Sequence, residues 1–282
     1  MMVKKVLLIL KDRIRFLEIR LPTPLLISLL NFENWIKTTG TRLKWDKQNG
    51  LFQVMDSAYQ LQFCRKERSI LYTSGVSKRI DSLARTYFQN EIPVDFNGTF
   101  IDCGANVGEL SLFVVNRYHC KILAFEPEPM EYQCLLSNLL GFGSARAFNK
   151  ALWEENKELN FYSSPQNADS SLIPSEPNQH KIVVRAITLD SLLSDHLLGE
   201  KGIILKIEAE GAEPEVIRGG RQLLKKTEMV LVDGGPERGF LKEKTEHQND
   251  LELYELGFDK LPGSSTRCQV YKRVKKDTTN ER

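Results

Sequence analysis

Two clusters in this chain combine residue types that can bind and react. The first runs Phe100-Ile101-Asp102-Cys103-Gly104-Ala105-Asn106-Val107-Gly108, and the second runs Leu205-Lys206-Ile207-Glu208-Ala209-Glu210-Gly211-Ala212-Glu213. In the first, Gly104 and Gly108 remove side chains where a backbone must come close to a ligand. Asn106 stands where many nucleotide loops carry another glycine. Asn tolerates left-handed backbone better than other non-glycine residues, so the replacement is mild. The helix expected behind the loop offers free N–H groups at its start.

A glycine loop alone is a weak signal, and two acids sharpen it. Glu126 closes the next apolar run, 24 positions after Asp102. That is near the spacing of about 20 residues at which an acid reaches ribose hydroxyls. Asp102 lies two residues before Gly104, where a carboxylate would repel a pyrophosphate. A ligand with a ribose, an ammonium and a sulfonium but no phosphate suits both acids, and S-adenosylmethionine is such a ligand. The cofactor set read from the residues is Asp102, Gly104, Ala105, Asn106, Gly108, Glu126, Pro127 and Asn149. Asn149 closes the third expected strand and is either an adenine contact or a turn residue. Glu128 reads equally as a first-turn acid favoured by the helix dipole.

In the second cluster, a strand continued past Ile207 would put Lys206, Glu208 and Glu210 on one face. A lysine buried between carboxylates stays charged because it is paired. A carboxylate there could take a proton from an acceptor hydroxyl. Glu210, Glu208 and Lys206 are the catalytic candidates, with His180 behind them. The acids could instead favour the start of a helix at Glu213–Ile217. No metal ligands are assigned, although such oxygens also suit magnesium.

These clusters need elements to hold them. Thr99–Cys103, Ile122–Phe125, Arg146–Asn149, Ile203–Ile207 and Met229–Val232 read as buried strands. Val107–Asn116 and Glu128–Leu140 read as helices. Alternation of this kind predicts an α/β fold with a doubly wound, mostly parallel sheet. Residues 1–95 differ and read as an α+β appendage, a candidate for acceptor recognition, while residues 96–282 form the cofactor-binding domain. Within the appendage, residues 51–73 read as a small antiparallel element, from the alternation of Tyr59, Leu61 and Phe63 with Gln60 and Gln62. Val76, Ile80, Leu83 and Tyr87 follow at helical spacing, and Asn90–Gly98 is a connection. An insert at Ser163–His180, rich in Ser, Pro and Asn, is either a solvated loop or a lid over the substrate.

The 282 residues carry a net charge of +2, with no basic footprint for nucleic acid. The run Lys272–Lys276 reads as a solvated basic end. Five cysteines, an odd number without a CxxC pair, argue against a disulfide framework or a zinc site and predict a reducing, cytoplasmic setting. The apolar run Val6–Leu10 is too short for a signal peptide core, and no stretch has the roughly 20 apolar residues of a membrane span. That run and Leu25–Leu30 leave peripheral contact with a membrane surface open. The oligomeric state is not legible.

The pieces IDCGANVGE, AFEPEP, KALWEEN, DSSL, ITLDSLL and LKIEAEGAE resemble the FkbM-type S-adenosylmethionine-dependent methyltransferases, over about Phe100–Gly220. The family usually has aspartate where this chain has Glu208. The resemblance implies a class I methyltransferase (Rossmann-like) fold with an antiparallel C-terminal strand. It also implies O-methyl transfer to a sugar, glycan or small natural product. The rival readings are an NAD(P)-dependent oxidoreductase on a similar sheet and a non-catalytic binding protein with a degenerate fold.

Overall fold

The structure is a computed structural model and describes residues 20–163, 170–175, 177, 179–194, 197–199, 201–263 and 267–274. The run Val6–Leu10, residues 164–169, 176 and 178 of the insert, and the end of the basic run at Lys275 and Lys276 lie outside the described residues. The chain divides into two compact units, residues 1–81 with 165–167 and residues 82–164 with 168–282. The division falls inside a helix, ahead of the composition change near residue 95. Its last two turns belong with the second unit, where Phe88 packs on Phe100 with ring centroids 5.8 Å apart.

Helix α1 of the first unit spans Thr23–Ile36. A three-stranded antiparallel meander follows, β1 Arg42–Asp46, β2 Leu51–Met55 and β3 Gln60–Phe63. β2 and β3 lie within the antiparallel element expected at residues 51–73, and β1, whose inward positions are Leu43 and Trp45, lies ahead of it. The expected run to residue 73 ends instead in a 3-10 turn at Lys66–Tyr72. Phe52 faces Phe63 across the ladder, and Phe63 packs on Tyr72, each pair 5.3 Å apart. Helix α2, Val76–Phe88, leads out of the unit.

The second unit is built on a seven-stranded sheet. Its strands are β4 Thr99–Cys103, β5 Lys121–Phe125, β6 Ala145–Phe148, β10 Ile203–Ile207, β11 Thr227–Asp233, β14 Phe258–Lys260 and β15 Cys268–Arg273. They lie in the order β14-β15-β11-β10-β4-β5-β6. Every pairing from β6 to β11 is parallel, and β15 runs antiparallel to both neighbours. This mostly parallel sheet with an antiparallel strand near the C-terminus is the arrangement that the resemblance implies. Helices α3 Glu109–Arg117 and α4 Pro129–Leu139 follow β4 and β5. Each starts one or two residues later than the hydrophobic pattern predicts, because Gly108 and Glu128 act as caps.

The chain leaves β4 toward β5 and β6, then returns to place β10 and β11 on β4's other side. The strand order therefore reverses beside β4, and ligands of open α/β sheets bind outside the carboxyl ends of strands at such a point. Both clusters singled out in the sequence end there. All five residues of β4 and of β10 are buried, as central parallel strands require.

The stretch between β6 and β10 is more ordered than its composition suggests. β7 Ala151–Leu152, β8 Lys157–Ser163 and β9 His180–Ile187 form a small sheet, with β8 and β9 paired from Lys157–Ala186 to Ser163–His180. Ser163 and His180, the two ends of the insert, lie in these strands. Lys272 and Arg273, expected in a solvated end, belong to β15. Lys272 pairs with Glu91 at 2.6 Å, and Arg273 donates to the carbonyl of Thr227. No helix among the described residues is long and apolar enough to cross a membrane, and all five cysteines are free thiols.

Candidate functional site

The glycine loop is held from three sides. Gly104, Asn106 and Gly108 have φ of +72°, +51° and +88°. A Cβ on Gly104 would lie 1.9 Å from the backbone oxygen of Glu208. The glycine is therefore required by the approach of the chain leaving β10, and not only by a ligand as the sequence suggests. A Cβ on Gly108 would press on Leu135 of α4. Asn138 of the same helix donates to the carbonyl of Val107 at 2.7 Å. Gly104 and Ala105 donate their N–H groups to Phe125 at the end of β5.

Glu126 sits at the tip of β5 and reaches back into this loop. One carboxylate oxygen accepts the N–H of Asn106 at 2.8 Å, and the other accepts the N–H of Glu128 at 2.9 Å. Burial pushes its value up to about 8, with the backbone N–H groups and the nearby Glu131 and Glu128 as smaller influences. Asn149 donates its amide to the carbonyls of Glu126 and Pro127 at 3.0 and 2.9 Å, so it clamps the turn that carries Glu126. Glu128 caps α4 by accepting from Met130 and Glu131, which is the first-turn reading.

Asp102 is sealed rather than displayed. It is fully buried in β4, directly across from Lys206 of β10. Its carboxylate accepts the hydroxyl of Ser111 at 2.7 Å and lies 3.1 Å from the Lys206 ammonium. With its charge offset by Lys206, its repulsion of a pyrophosphate is weaker than the sequence implies. Lys206 also donates to the carbonyls of Cys103 and Gly104 at 3.1 and 2.9 Å, and pairs with Glu208 at 3.1 Å. Burial works against the ammonium, but Asp102 and Glu208 outweigh it and hold Lys206 well above the ordinary lysine value.

Strand β10 stops at Ile207, so Lys206, Glu208 and Glu210 do not continue one strand face. The chain instead turns through left-handed backbone at Glu210 and Gly211, with φ of +50° and +95°. Glu213 holds this turn. Its buried carboxylate accepts the N–H groups of Ala209 and Gly211 at 2.9 and 3.0 Å and the hydroxyl of Thr245 at 2.8 Å. Helix α5, Glu213–Arg218, begins at that acid, so both sequence readings of the segment hold in part. Glu210 is half-buried, and its backbone oxygen accepts the hydroxyl of Ser171. His180 is exposed at the start of β9.

Around Glu208 the structure assembles groups that sequence reading left apart. Tyr87 of α2 is buried beside Glu208, and its hydroxyl donates to Asp233 at the end of β11 at 3.3 Å. Arg267 bridges the same acids, at 2.7 Å to Asp233 and 3.1 Å to Glu208. Burial would raise Glu208, but Lys206, Tyr87 and Arg267 together hold it below its usual value.

Glu237, in the short strand β12 Pro236–Arg238, is the acid that sequence reading missed. Burial first, then Asp233, Glu213 and Glu208, push it up to about 7. Its Oε2 is buried without a hydrogen-bond partner. The only sequence signal for it is position, shortly after the Gly234-Gly235 pair that follows β11. No group of His, Cys, Asp and Glu among the described residues could hold a metal ion.

The donor set fits S-adenosylmethionine. Glu126, Glu208, Asp233 and Glu237 line the carboxyl ends of β5, β10 and β11 against two cations, Lys206 and Arg267. That excess of carboxylate suits a cationic ligand and opposes a pyrophosphate. Glu126→Ala should weaken cofactor binding about ten- to a hundred-fold without unfolding the chain, because charge-assisted bonds to ribose hydroxyls contribute about 1.5–3 kcal/mol. The pH dependence should carry the same signature. A ribose held by Glu126 would favour its ionised form, so affinity should rise by up to about ten-fold per pH unit until pH 8 and level off above it. Stability without cofactor should move the other way. The folded state holds a proton there that the unfolded chain releases, so this contribution is full below the ordinary carboxyl range and is lost as pH rises to about 8. Calorimetry and thermal unfolding across pH check both trends, and Glu126→Gln should flatten them.

Residues 102–259 match the methyltransferase FkbM domain. Methyltransferase sdnD of Sordaria araneosa is 31% identical over 156 residues, 44% of this chain and 60% of that protein. Methyltransferase 1 of Beauveria bassiana (strain ARSEF 2860) is 28% identical over 149 residues, again with 60% of its length matched. The chain thus spans less than two thirds of the length of these curated relatives. Magnesium protoporphyrin IX methyltransferase (ChlM) from Synechocystis PCC 6803, solved with bound SAH, is similar over 73% of this chain and 87% of that one, at 12% identity and a TM-score of 0.42.

Proposed function

The chain belongs to the FkbM methyltransferase family, a family dependent on S-adenosylmethionine, and we propose that it transfers the donor's methyl group to an oxygen, the hydroxyl of a sugar, glycan or small natural product. S-adenosylmethionine supplies an activated methyl on a sulfonium. The residues that would hold it are the loop Asp102–Gly108 with Glu126, Pro127 and Asn149. Since the donor is already activated, the protein's main contribution is alignment of the two reactants.

The observation that carries the reading is the acid cluster beside the loop, and above all the unpartnered carboxylate oxygen of Glu237. A hydroxyl becomes a good nucleophile only as its proton leaves, and a base near the working pH takes it best. Lys206 and Glu208 form the charged wall of the site, with Glu208 held ionised by three partners and therefore a weak base. Asp233 is likewise committed to Tyr87, Arg267 and the N–H of Gly235. Proton acceptance is assigned to Glu237, and Glu210 at the turn stays in the acceptor-facing set. Residues 1–95 are assigned a part in acceptor choice, since every cofactor feature lies after Thr99.

Titration of the purified protein with S-adenosylmethionine and with NAD tests the cofactor half. Binding of the methyl donor and not of NAD is expected, and equal or tighter binding of NAD would overturn the reading. Mass spectrometry of cell extract incubated with protein and donor then looks for hydroxyl compounds that gain one methyl. Methyl gained on nitrogen or carbon alone would overturn the oxygen assignment.

A further inference from the structure

We propose that helix α1 docks the protein on the surface of an anionic lipid bilayer. The helix is apolar on two opposite faces. Leu26, Ile27 and Leu30 are buried in the first unit's core with Asn34. On the other side Leu25, Phe32 and Ile36 follow one another at seven and four residues, spacings that place them on one stripe. Trp35 borders the stripe, and half-buried Leu29 fills its gap. Trp35 is 73% exposed, Ile36 59%, Leu25 58% and Phe32 56%. The rings of Phe32 and Trp35 stack at 5.9 Å. A helix that faces water on one side ordinarily keeps that side polar. A contiguous row of large apolar side chains marks an interaction surface.

Charge selects the occupant. Residues 1–81 carry 15 Lys and Arg against 7 Asp and Glu, a net charge of +8. The rest of the chain carries 24 against 30, a net of −6. The near-neutral total therefore conceals a strongly basic first unit. Arg42 and Lys44 point outward from β1, and Lys47 lies exposed in the following turn. An apolar stripe with Trp and Phe on a strongly basic body matches an interface of acyl chains beneath anionic headgroups. Tryptophan rings settle at the headgroup level of such surfaces. The same charge opposes pairing of two copies through this face.

Co-sedimentation of the 282-residue chain with vesicles tests the proposal. Binding is expected to vesicles of phosphatidylcholine with phosphatidylserine, weaker in high salt, and at least ten-fold weaker to phosphatidylcholine alone. Phe32→Ser/Trp35→Ser changes two exposed side chains, so it should keep cofactor binding and lose at least ten-fold in vesicle binding. Absence of binding to the anionic vesicles overturns the proposal. So does equal binding by the double variant, or a wild-type dimer that the variant converts to monomer. Binding of duplex RNA in place of vesicles overturns it, as does vesicle binding that appears only after residues 1–19 are deleted, because the stripe would then belong to the chain's own first segment.

Discussion

Replacing Lys206 with methionine should destabilise the protein by about 3–5 kcal/mol, the usual effect of removing one partner from a buried ion pair. The side chains of Lys206 and Asp102 are each 1% exposed. Methionine fills much the same volume but leaves Asp102 in a low-dielectric rung with only the Ser111 hydroxyl as donor. It also strips a donor from the carbonyls of Cys103 and Gly104 and a counter-charge from Glu208. The denaturation midpoint of the second unit's transition measures the loss. The same change in an Asp102→Asn background should cost markedly less, because no buried carboxylate is then stranded. An additive double variant would show that the pair is not coupled, and the account of Lys206 as a framing residue would fail.

The largest kinetic effect is expected at Glu237. Glu237→Gln keeps the shape, removes the proton-accepting charge and should lower turnover by about 10²–10⁴-fold, with a far smaller effect on cofactor affinity. The wild-type rate should rise with pH to a plateau above about 7, following the ionisation of this acid, and the variant should lose that limb. Glu210→Gln, measured in parallel, separates the two acids. A large loss there with near-normal Glu237→Gln turnover would move the proton-accepting role to Glu210. Glu208→Gln should disturb Tyr87 and Arg267 as well, so its loss of activity should come with weaker structure.

The central strands were legible because central parallel strands are buried on both faces and read as short apolar runs. Ile203–Ile207 was read to the residue, and Thr99–Cys103 likewise. The only charges in those runs, Asp102 and Lys206, stand in one rung, but period and spacing do not say which residues of distant strands will be neighbours. β14 is three residues long, too short for any pattern to show. β8 and β9 flank a Ser-, Pro- and Asn-rich loop that dominated the local composition. Tyr87 shows in the sequence as a helical position, from its spacing to Ile80 and Leu83, while its hydroxyl's partner Asp233 on β11 is out of reach of any local rule. Glu237 carried no motif. What distinguishes it is the company of three other acids, and only folding supplies that. Gly104 was recognised for the right property and a different neighbour, since its missing side chain makes room for the backbone of Glu208.

The placement of β10 beside β4 also sets an order of events during synthesis. The carbonyls of Cys103 and Gly104 find their ammonium donor 103 and 102 residues further along the chain. Until Lys206 has left the ribosome, β4 is an edge strand with a buried carboxylate and no cation, and the glycine loop has no backbone of Glu208 to lie against. Such long-range pairing closes slowly and leaves the edge open meanwhile. The nucleotide half of the fold therefore cannot mature as the first piece to emerge, although its motifs come first in the chain. The glycine loop is completed late, together with the acids that follow β10 and β11.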